Sequence, residues 1–404
     1  MPAVVLASTH VSSLASGYDL RVFNLCKALS NVDELTLITL PLTPDLPHAR
    51  GDARINLADA FVRHLETPAP DTREKCVWRH IRWSEVNFFR LAYPRFYRMA
   101  VQMIRDAVEH NKASRLVVFG SGIAEFALPF IPMKVLFDVC DSKFLTLLRE
   151  TNGPISRETR KPFGRLVSKY RWKNLERNLP AWFTKVTTIN EADSECIRSL
   201  SKSPTKVETV PNGVGERFFH AAEPNESELR RGLVFWGNLS FGPNLDAITY
   251  FIQNIYLPHL QEQDVELCII GGGANRGLLG LSAACRNICF TGYVQDIVPL
   301  VIRYPVMINP MVTGSGLKNK VLEAFAMRRT VISTSLGMEA ITDAVDGIHY
   351  VGADTPASIA SAVLSLLADR GRCDAIGAAA RDLVLEHYSW AVIGKIWRNV
   401  YSTM

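Results

Sequence analysis

The sequence lacks the signatures of several classes of protein, and each absence narrows what the chain can do. None of its eight cysteines forms a Cys-x-x-Cys pair, which argues against a zinc site and a thiol redox site. No His-Glu-x-x-His, Ser-His-Asp or carboxylate-rich motif is evident, so we expect no metal. No apolar run reaches the roughly 18 residues that a membrane-spanning helix needs. These absences favour a cytoplasmic protein whose thiols stay reduced.

The overall composition is that of an ordinary globular protein. The chain has 404 residues, of which 48% are hydrophobic and 21% charged, and this length suits two domains. Its 45 basic and 40 acidic residues leave a net charge of +5, which is too modest to imply nucleic acid binding.

Short apolar strands alternate with helices along the whole chain. The strands are predicted at 4–7, 35–40, 116–119, 134–138, 185–189, 233–236, 266–270, 287–290, 306–309, 330–333 and 347–351. Near-continuous apolar strands are typical of parallel sheets covered on both faces, so we expect two doubly wound α/β domains. A boundary at Pro211-Asn212-Gly213 separates an N-terminal domain, 1–212, from a C-terminal domain, 213–385. The aromatic last helix, about 386–404, is expected to pack back on the first domain.

One segment of the second half combines features that suit a nucleotide. After the strand 306–309 comes a loop with Gly314 and Gly316, and then a predicted helix, 317–327. Glycine amides at a helix N-terminus favour an anion such as a diphosphate, and Lys318 and Lys320 add positive charge. Glu323, about two turns into the helix, can accept both hydroxyls of a ribose. From pattern alone, a simple turn with solvated lysines is an equal alternative.

This segment resembles the donor-binding signature of retaining GT-B glycosyltransferases (glycosyltransferase family 4, group 1 type), which include bacterial mannosyl- and glucosyltransferases. It matches the subgroup that reads Gly-Ser-Gly-x-Lys-x-Lys-x-Leu-Glu-Ala. Other blocks match in the same order between roughly 187 and 346: Pro211-Asn212-Gly213-Val214, Gly237-Asn238-Leu239, Ile270-Gly271-Gly272-Gly273, Thr291-Gly292-Tyr293-Val294 and 330–341. The resemblance implies the GT-B fold, in which two Rossmann-like domains face each other across a cleft. The donor would lie on the second domain and the acceptor on the first.

The resemblance also implies roles for single residues. The donor-binding residues that it indicates are Gly237, Asn238, Gly314, Ser315, Gly316, Leu317, Lys318, Lys320 and Glu323. Among these, Glu323 would hold the ribose, and Lys320 with the loop amides would hold the diphosphate and sugar. Both are predicted to be catalytic. For the acceptor, the resemblance indicates Gly17 and Arg21. His10, in the first loop, and Asp141, at the end of a strand, are predicted to bind the acceptor because of their positions.

Asp141 is the third catalytic candidate, because it ends a strand at the edge where such folds place ligands. A helix N-cap is the alternative for Asp141. For His10, a loop residue without a functional role is the alternative.

The segment also departs from the family pattern. Ser315 stands where the first glutamate of the family's Glu-x7-Glu pair is expected. Asn238 replaces the arginine of a Gly-Arg-Leu block, and Pro243-Asn244 lies where a lysine is expected. Two cationic phosphate ligands are thus absent from their usual places, and this departure bears on the identity of the donor sugar more than on the reaction.

The function expected from the resemblance is transfer of a sugar from a nucleoside diphosphate sugar, of the UDP or GDP type. The acceptor would be a glycan or a lipid-linked molecule, as in cell-surface polysaccharide or glycolipid synthesis. No cofactor is expected beyond the donor. A non-catalytic relative that binds nucleotide sugars as a partner or scaffold is the alternative. An NAD(P)-dependent oxidoreductase is disfavoured, because no Gly-x-Gly-x-x-Gly turn follows the first strand.

Two basic segments rich in aromatic residues lie in the first half, Lys75–Arg105 and Arg157–Arg177. Such segments suit anionic lipid headgroups, and with a lipid-linked acceptor we expect peripheral attachment to the inner face of the cytoplasmic membrane. Single-stranded nucleic acid is a disfavoured partner. A pair of solvated helices with an aromatic inner face is the plain alternative.

Overall fold

The chain folds into two units, each built on its own parallel sheet. The computed structural model describes residues 2–8, 17–42, 60–71, 85–152, 162–221, 228–283 and 285–404. The first unit comprises Met1–Leu148, Glu158–Asn212 and Trp390–Met404, and the second comprises Arg149–Arg157 and Gly213–Ser389. The two units therefore meet in sequence between Asn212 and Gly213, and the end of the chain returns to the first unit.

A seven-stranded parallel sheet forms the centre of the first unit, with the strand order β3-β2-β1-β4-β5-β6-β7. Its strands are β1 (Ala3–Ala7), β2 (Leu35–Thr39), β3 (Arg63–Glu66), β4 (Arg115–Phe119), β5 (Lys134–Cys140), β6 (Lys185–Thr188) and β7 (Val207–Thr209). Its helices are α1 (Gly17–Leu29), α2 (Phe88–Ala92), α3 (Pro94–His110), α4 (Ala124–Ala127), α5 (Lys143–Asn152), α6 (Pro162–Trp182), α7 (Glu191–Leu200) and, at the chain end, α16 (Trp390–Ser402).

The two faces of this sheet bury separate apolar cores. Alternate residues of a strand point to opposite faces, so Val4 and Leu6 of β1 pack with α3 and α6, whereas Val5 packs with α1 and α16. Strands buried on both faces in this way need apolar residues at nearly every position, which explains their near-continuous apolar sequences.

A six-stranded parallel sheet forms the centre of the second unit, with the order β10-β9-β8-β11-β12-β13. Its strands are β8 (Gly232–Trp236), β9 (Glu266–Ile270), β10 (Ile288–Gly292), β11 (Val306–Asn309), β12 (Thr330–Ser333) and β13 (Val351–Gly352). Its helices are α8 (Glu216–Phe219), α9 (Gly242–Phe251), α10 (Arg276–Ala283), α11 (Val298–Val301), α12 (Asn319–Ala326), α13 (Ser335–Met338), α14 (Pro356–Ala368) and α15 (Arg370–His387).

Neighbouring residues of β8 again point to opposite faces of the sheet. Phe235 packs with α9 and α14, whereas Trp236 packs with α12 and α15. This alternation matters for the site, because it places Trp236 on the face of the sheet that carries Glu323.

Several elements differ from the sequence prediction, each for a local reason. β3 and β7 were not predicted: β3 is polar and lies at the exposed edge of its sheet, and β7 has three residues. A helix predicted from the apolar spacing over 245–255 begins earlier, as α9 at Gly242, since Pro243 suits the first turn of a helix, where no N–H is needed. The chain continues beyond α9 as a π-helical segment, Ile252–Leu260. The last strand begins at Val351 rather than 347.

Candidate functional site

Two glycine turns meet at the carboxyl edge of the six-stranded sheet. The Gly237 N–H donates to the Ile270 carbonyl (3.0 Å), and the Leu239 N–H donates to the Gly272 carbonyl (2.9 Å). A β-carbon at Gly271 would lie 2.0 Å from the Gly237 carbonyl oxygen, a distance that no side chain tolerates. These turns therefore need glycine to approach each other, which gives the family's glycine blocks a structural reason.

Asn244 occupies the space that a side chain at position 237 would need. A β-carbon at Gly237 would lie 2.7 Å from Asn244 Nδ2. The same Nδ2 donates to the Asn238 carbonyl (3.0 Å), while Asn238 Oδ1 accepts from the Ser240 amide (2.9 Å). Gly237 and Asn238, both predicted to bind the donor, thus build the turn that receives Asn244.

The loop between β11 and α12 is fastened to the start of α9. Thr313 Oγ1 donates to Asp246 Oδ2 over 3.0 Å. Gly314 has a φ of +98° and lies so close to Pro243 that a β-carbon there would be 3.0 Å from Pro243 Cβ. The predicted donor segments 237–238 and 314–320 therefore lie side by side, although about 75 residues separate them in sequence.

The helix that follows this loop starts later than predicted. Gly316 has a φ of +76°, Lys318 is non-helical, and α12 begins at Asn319 rather than 317. Leu317 consequently belongs to the loop. Glu323 is the fifth helical residue, just over one turn from the start, which corrects the prediction of two turns.

Lys318 directs its charge into the loop itself. Its Nζ donates to the carbonyl oxygens of Ser315 and Gly316, each over 2.8 Å, and the residue is only 9% exposed. An ammonium held on two carbonyls fixes the shape of the glycine loop. The phosphate contacts predicted for Ser315 and Lys318 stay predictions.

Lys320, the last residue of the segment 314–320, is linked through Asn244 to the turn 237–238. Its ammonium donates to Asn244 Oδ1 (2.8 Å) and sits 4.2 Å from the centroid of the Phe235 ring. Burial, with the neighbouring Lys318 charge, lowers the pKa of Lys320 to about 7, and Glu323 opposes that shift only in part. A cation in such a place is poised to gain stabilisation from an incoming anion.

Glu323 is held by an aromatic side chain that sequence reasoning missed. Trp236 Nε1 donates to Glu323 Oε2 over 3.0 Å, and no hydrogen bond engages Oε1 within the described ranges. Burial raises the pKa of Glu323, against the indole hydrogen bond and the charges of Arg217 and Lys320. Only the alternation of β8 could have indicated Trp236, because it ends the strand on the Glu323 face.

Arg21 has a different environment from the one predicted. Its guanidinium is 1% exposed and makes a two-bond ion pair with Asp138, with Nε–Oδ2 at 2.8 Å and NH2–Oδ1 at 2.6 Å. NH1 also donates to the Val210 carbonyl and to Asn212 Oδ1. Burial disfavours this charge, but Asp138 more than compensates, so the pKa of Arg21 is raised. The N–H groups of Arg21 are engaged within the first unit. The contact with the sugar acceptor that was predicted for Arg21 stays a prediction.

Asp141 follows β5 and is partly buried. Its Oδ1 is enclosed and has no hydrogen-bond partner in the parts of the chain that the structure describes. The N-cap alternative fits its neighbour better, because Ser142 Oγ accepts from the Leu145 N–H (3.0 Å) at the start of α5. The acceptor contact predicted for Asp141 stays a prediction.

Two buried carboxyl groups beside Asp141 were not predicted. Asp193 Oδ1 accepts from the Ser142 N–H (3.1 Å), and Glu176 accepts from Ser142 Oγ (2.6 Å) and the Phe144 N–H (3.1 Å). Burial raises the pKa of each to about 7, and the Asp141 charge adds to the shift of Asp193. Their signals were weak in the sequence, since both lie inside ordinary polar helices.

The remaining predicted residues are partly outside the described ranges. His10 is among those outside, as is the part of the first basic segment before residue 85. Gly17 is the first residue of α1. Within the described part of the basic segments, Phe89 and Phe96 are buried against Phe126, and Tyr93 is buried beside Phe89, which matches the alternative of an aromatic inner face. No helix of the described residues is long and apolar enough to cross a membrane.

Comparison with known proteins finds a family match for part of the second unit. Residues 230–369 match the family described as Glycosyl transferases group 1. The chain is 27% identical over 228 residues to alpha-maltose-1-phosphate synthase of Mycolicibacterium smegmatis, covering 49% of this chain and 57% of that protein. It is 26% identical over 250 residues to an uncharacterized glycosyltransferase of Methanocaldococcus jannaschii, covering 54% and 59%. These matches thus span less than two thirds of the relatives' length.

Solved structures share the fold over the full chain. Sucrose-phosphate synthase from Thermosynechococcus elongatus aligns with a TM-score of 0.71 at 13% identity and covers 100% of both chains. HepE of Anabaena, solved in complex with UDP and glucose, aligns with a TM-score of 0.69 at 11% identity and covers 100% and 99%. The predicted fold class, two doubly wound Rossmann-like domains of the GT-B type, is confirmed.

Proposed function

We propose that this chain is a glycosyltransferase that binds a nucleoside diphosphate sugar on its second unit and transfers the sugar, with retention, to a glycan or lipid-linked acceptor. The observation that carries the proposal is the meeting of Lys320 and Glu323 on the first turns of α12, beside two glycine turns. A half-buried cation and a carboxylate with one unengaged oxygen match the two parts of a nucleoside diphosphate. The match of residues 230–369 to a glycosyltransferase family supports the same assignment.

In this proposal the second unit activates the donor electrostatically. The amides of the loop 314–317 and the Lys320 ammonium would hold the diphosphate, where negative charge grows as the bond to the sugar breaks. Lys320 is half-buried, so its charge acts through a poorly screened environment and its stabilisation of the leaving group is correspondingly large. Lys318 contributes indirectly, because its hydrogen bonds to Ser315 and Gly316 fix the loop.

Glu323 would orient the nucleoside. Trp236 fixes one carboxylate oxygen, and the other is left to accept from ribose hydroxyls. Donors of the UDP or GDP type fit this arrangement, and HepE, which shares the fold, was solved with UDP. Acceptance of both ribose hydroxyls by Glu323 requires the carboxylate form, which the indole hydrogen bond favours.

The first unit would supply the acceptor side. Asp141 is the candidate there, because it follows β5 at the carboxyl edge of the sheet and its Oδ1 has no hydrogen bond in the described residues. Arg21 and Asp138 would act as the internal support of this edge rather than as ligand contacts. Synthesis of a cell-surface polysaccharide or glycolipid is the biological setting that we propose.

Peripheral attachment to a membrane follows as part of the proposal for a lipid-linked acceptor. On α6, Leu166 and Tyr170 are 66% and 60% exposed, one turn apart, within the basic segment 157–177. An exposed apolar pair among basic residues suits an anionic lipid surface.

A non-catalytic relative is the second candidate, and Ser315 is the observation that favours it. A hydroxyl there cannot replace the charge of the glutamate that the family pattern places at this position. Donor turnover by the purified protein would decide against this candidate.

The test is a panel of UDP-, GDP- and dTDP-sugars, scored by thermal shift and by release of the nucleotide, with NAD and NADP as controls. We expect one nucleotide class to raise the melting temperature and to be released as the free diphosphate. A shift with NAD or NADP but with none of the sugar nucleotides would overturn the proposal.

A further inference from the structure

Asn244 joins two parts of the site that the sequence keeps far apart. From the first turn of α9, its side-chain amide accepts from Lys320 Nζ through Oδ1 (2.8 Å) and donates to the Asn238 carbonyl through Nδ2 (3.0 Å). The orientation of the amide is fixed by chemistry, because an ammonium can only donate and a backbone carbonyl can only accept. One side chain therefore ties the lysine of α12 to the turn after β8.

The surroundings leave this amide little freedom. Gly237 provides its space, since a β-carbon there would lie 2.7 Å from Nδ2. The Phe235 ring contacts the same ammonium, which lies 4.2 Å from the ring centroid. Because the amide and the ring both hold the ammonium before a ligand arrives, Lys320 loses less side-chain entropy when it binds an anion.

The neutrality of Asn244 has a chemical consequence. In the described part of the chain the amide provides the one hydrogen bond of the Lys320 ammonium, and an amide dipole stabilises a cation less than a carboxylate does. Lys318 faces the same ammonium as a like charge, and Glu323 is the carboxylate that favours it. The positive charge of Lys320 is therefore only partly balanced, and a bound diphosphate would balance it further.

We propose that Asn244 is a positioning residue of the donor site: its neutral amide holds the Lys320 ammonium beside the Gly237–Asn238 turn and the Phe235 ring, where a nucleoside diphosphate can pair with it. This inference rests on the proposed function for the identity of the ligand, but the coupling between Asn244 and Lys320 is a property of the chain alone.

The coupling predicts a pH dependence with a definite sign. Without ligand Lys320 loses its proton near pH 7, and with a bound diphosphate its pKa rises, so affinity falls as pH increases above 7. At pH 8 the wild-type protein should take up about one proton per nucleotide bound. Calorimetry of UDP and GDP binding in two buffers of different ionisation enthalpy measures that number.

Asn244→Asp is the decisive variant, and Asn254→Asp, an exposed amide in the π-helical segment after α9, is its matched control. A carboxylate beside Lys320 keeps the ammonium charged, so proton uptake at pH 8 should fall close to zero in Asn244→Asp and stay unchanged in the control. Affinity should also fall in Asn244→Asp, because the new carboxylate repels the diphosphate. Unchanged proton uptake in a folded Asn244→Asp protein would overturn the inference.

A ligand-free measurement separates this inference from the proposed function. Competitive labelling with acetic anhydride at pH 7.5, read by mass spectrometry, reports the fraction of each lysine that is neutral. Lys320 should label faster than surface lysines, and Asn244→Asp should slow it about tenfold for each unit by which its pKa rises. Slowed labelling without any nucleotide binding would overturn the donor assignment but support the coupling. Unchanged labelling would overturn the coupling itself.

Discussion

At the scale of single residues, the donor site depends on two side chains of α12 whose neighbours prepare them for different tasks. Lys320 is stabilised by one neutral amide and a ring, whereas Glu323 is oriented by the Trp236 indole. Each of these two side chains can therefore make a further ion pair or hydrogen bond with a ligand. The surrounding contacts, rather than the residue types alone, distinguish these groups from surface charges.

Substitution of either residue should remove activity without removing the fold. Glu323→Ala and Lys320→Ala are each expected to lower sugar transfer by about 100-fold or more, the range found for loss of one preorganised group in an active site. Nucleotide release with saturating donor measures the effect, and the melting temperature serves as the check on folding. Wild-type rates in both variants would refute the site assignment.

The sequence could indicate the types of residue at the site, but not the contacts that surround them. The glycine loop, Lys320 and Glu323 stand in one short segment, so the resemblance could indicate them. Trp236 and Asn244 contribute through contacts across the sheet edge, and no spacing along the chain encodes those. Arg21 was expected at a ligand because of its position after the first loop, yet its burial against Asp138 depends on a strand more than 110 residues away.

At the scale of elements, the first turn of α5 depends on two carboxyl groups from neighbouring helices. Glu176 of α6 accepts from the Phe144 N–H and Ser142 Oγ, and Asp193 of α7 accepts from the Ser142 N–H. These bonds satisfy amides that a helix leaves without partners at its N-terminus. They also fix the chain directly after Asp141.

Removal of Glu176 should therefore be costly. Glu176→Ala leaves a buried amide and a hydroxyl without their acceptor and is expected to lower the free energy of unfolding by about 2 kcal/mol. Urea unfolding at pH 7 measures the change. Glu191→Ala, on the exposed side of the same group of helices, is the control and should change stability by less than about 1 kcal/mol. Equal effects in the two variants would contradict the capping role.

The glycine loop before α12 makes a second prediction at this scale. Gly314→Ala places a β-carbon 3.0 Å from Pro243 at a φ of +98°, so the loop should shift and nucleotide affinity should fall by about tenfold, the equivalent of 1 to 2 kcal/mol of strain. Gly280→Ala is the matched control, because nothing lies within 4 Å of a β-carbon there. Within a helix it should even stabilise the protein slightly. Nucleotide binding by calorimetry compares the two variants, and equal affinity would count against a constrained loop.

The elements themselves were largely predictable. Ten of the eleven predicted strands overlap strands of the structure over most of their length. Apolar runs indicated them because a strand buried on both faces needs such a run. β3 escaped detection because it lies at a sheet edge and carries Arg63, His64 and Glu66. The start of α12 was misplaced because Lys318 bonds back to the loop carbonyls, a contact that helical periodicity does not report.

At the scale of the whole molecule, the chain crosses from the second unit back to the first at its end. α16 packs against α1 and fills one of the two cores of the seven-stranded sheet, with Ile393, Trp397 and Tyr401 fully buried. The Tyr401 hydroxyl also donates to Asp33 Oδ2 over 2.6 Å. The first unit is thus completed by residues nearly 180 positions beyond Asn212, so it gains part of its stability only when the last helix is in place.

Trp397 tests this dependence. It packs against Phe119 of β4, with ring centroids 5.9 Å apart, and truncation to alanine should lower the free energy of unfolding of the first unit by about 3–5 kcal/mol. Its indole nitrogen has no hydrogen-bond partner within the described ranges, so Trp397→Phe, which keeps most of the apolar volume, should cost much less. Ile396→Ala, one residue earlier and 39% exposed, is the control. Hydrogen exchange followed by mass spectrometry should then show faster exchange in β1, β4 and α1 of Trp397→Ala, while β8, β9 and α12 keep wild-type protection. Exchange that rises equally in both sheets would mean that α16 stabilises the two units jointly rather than the first one.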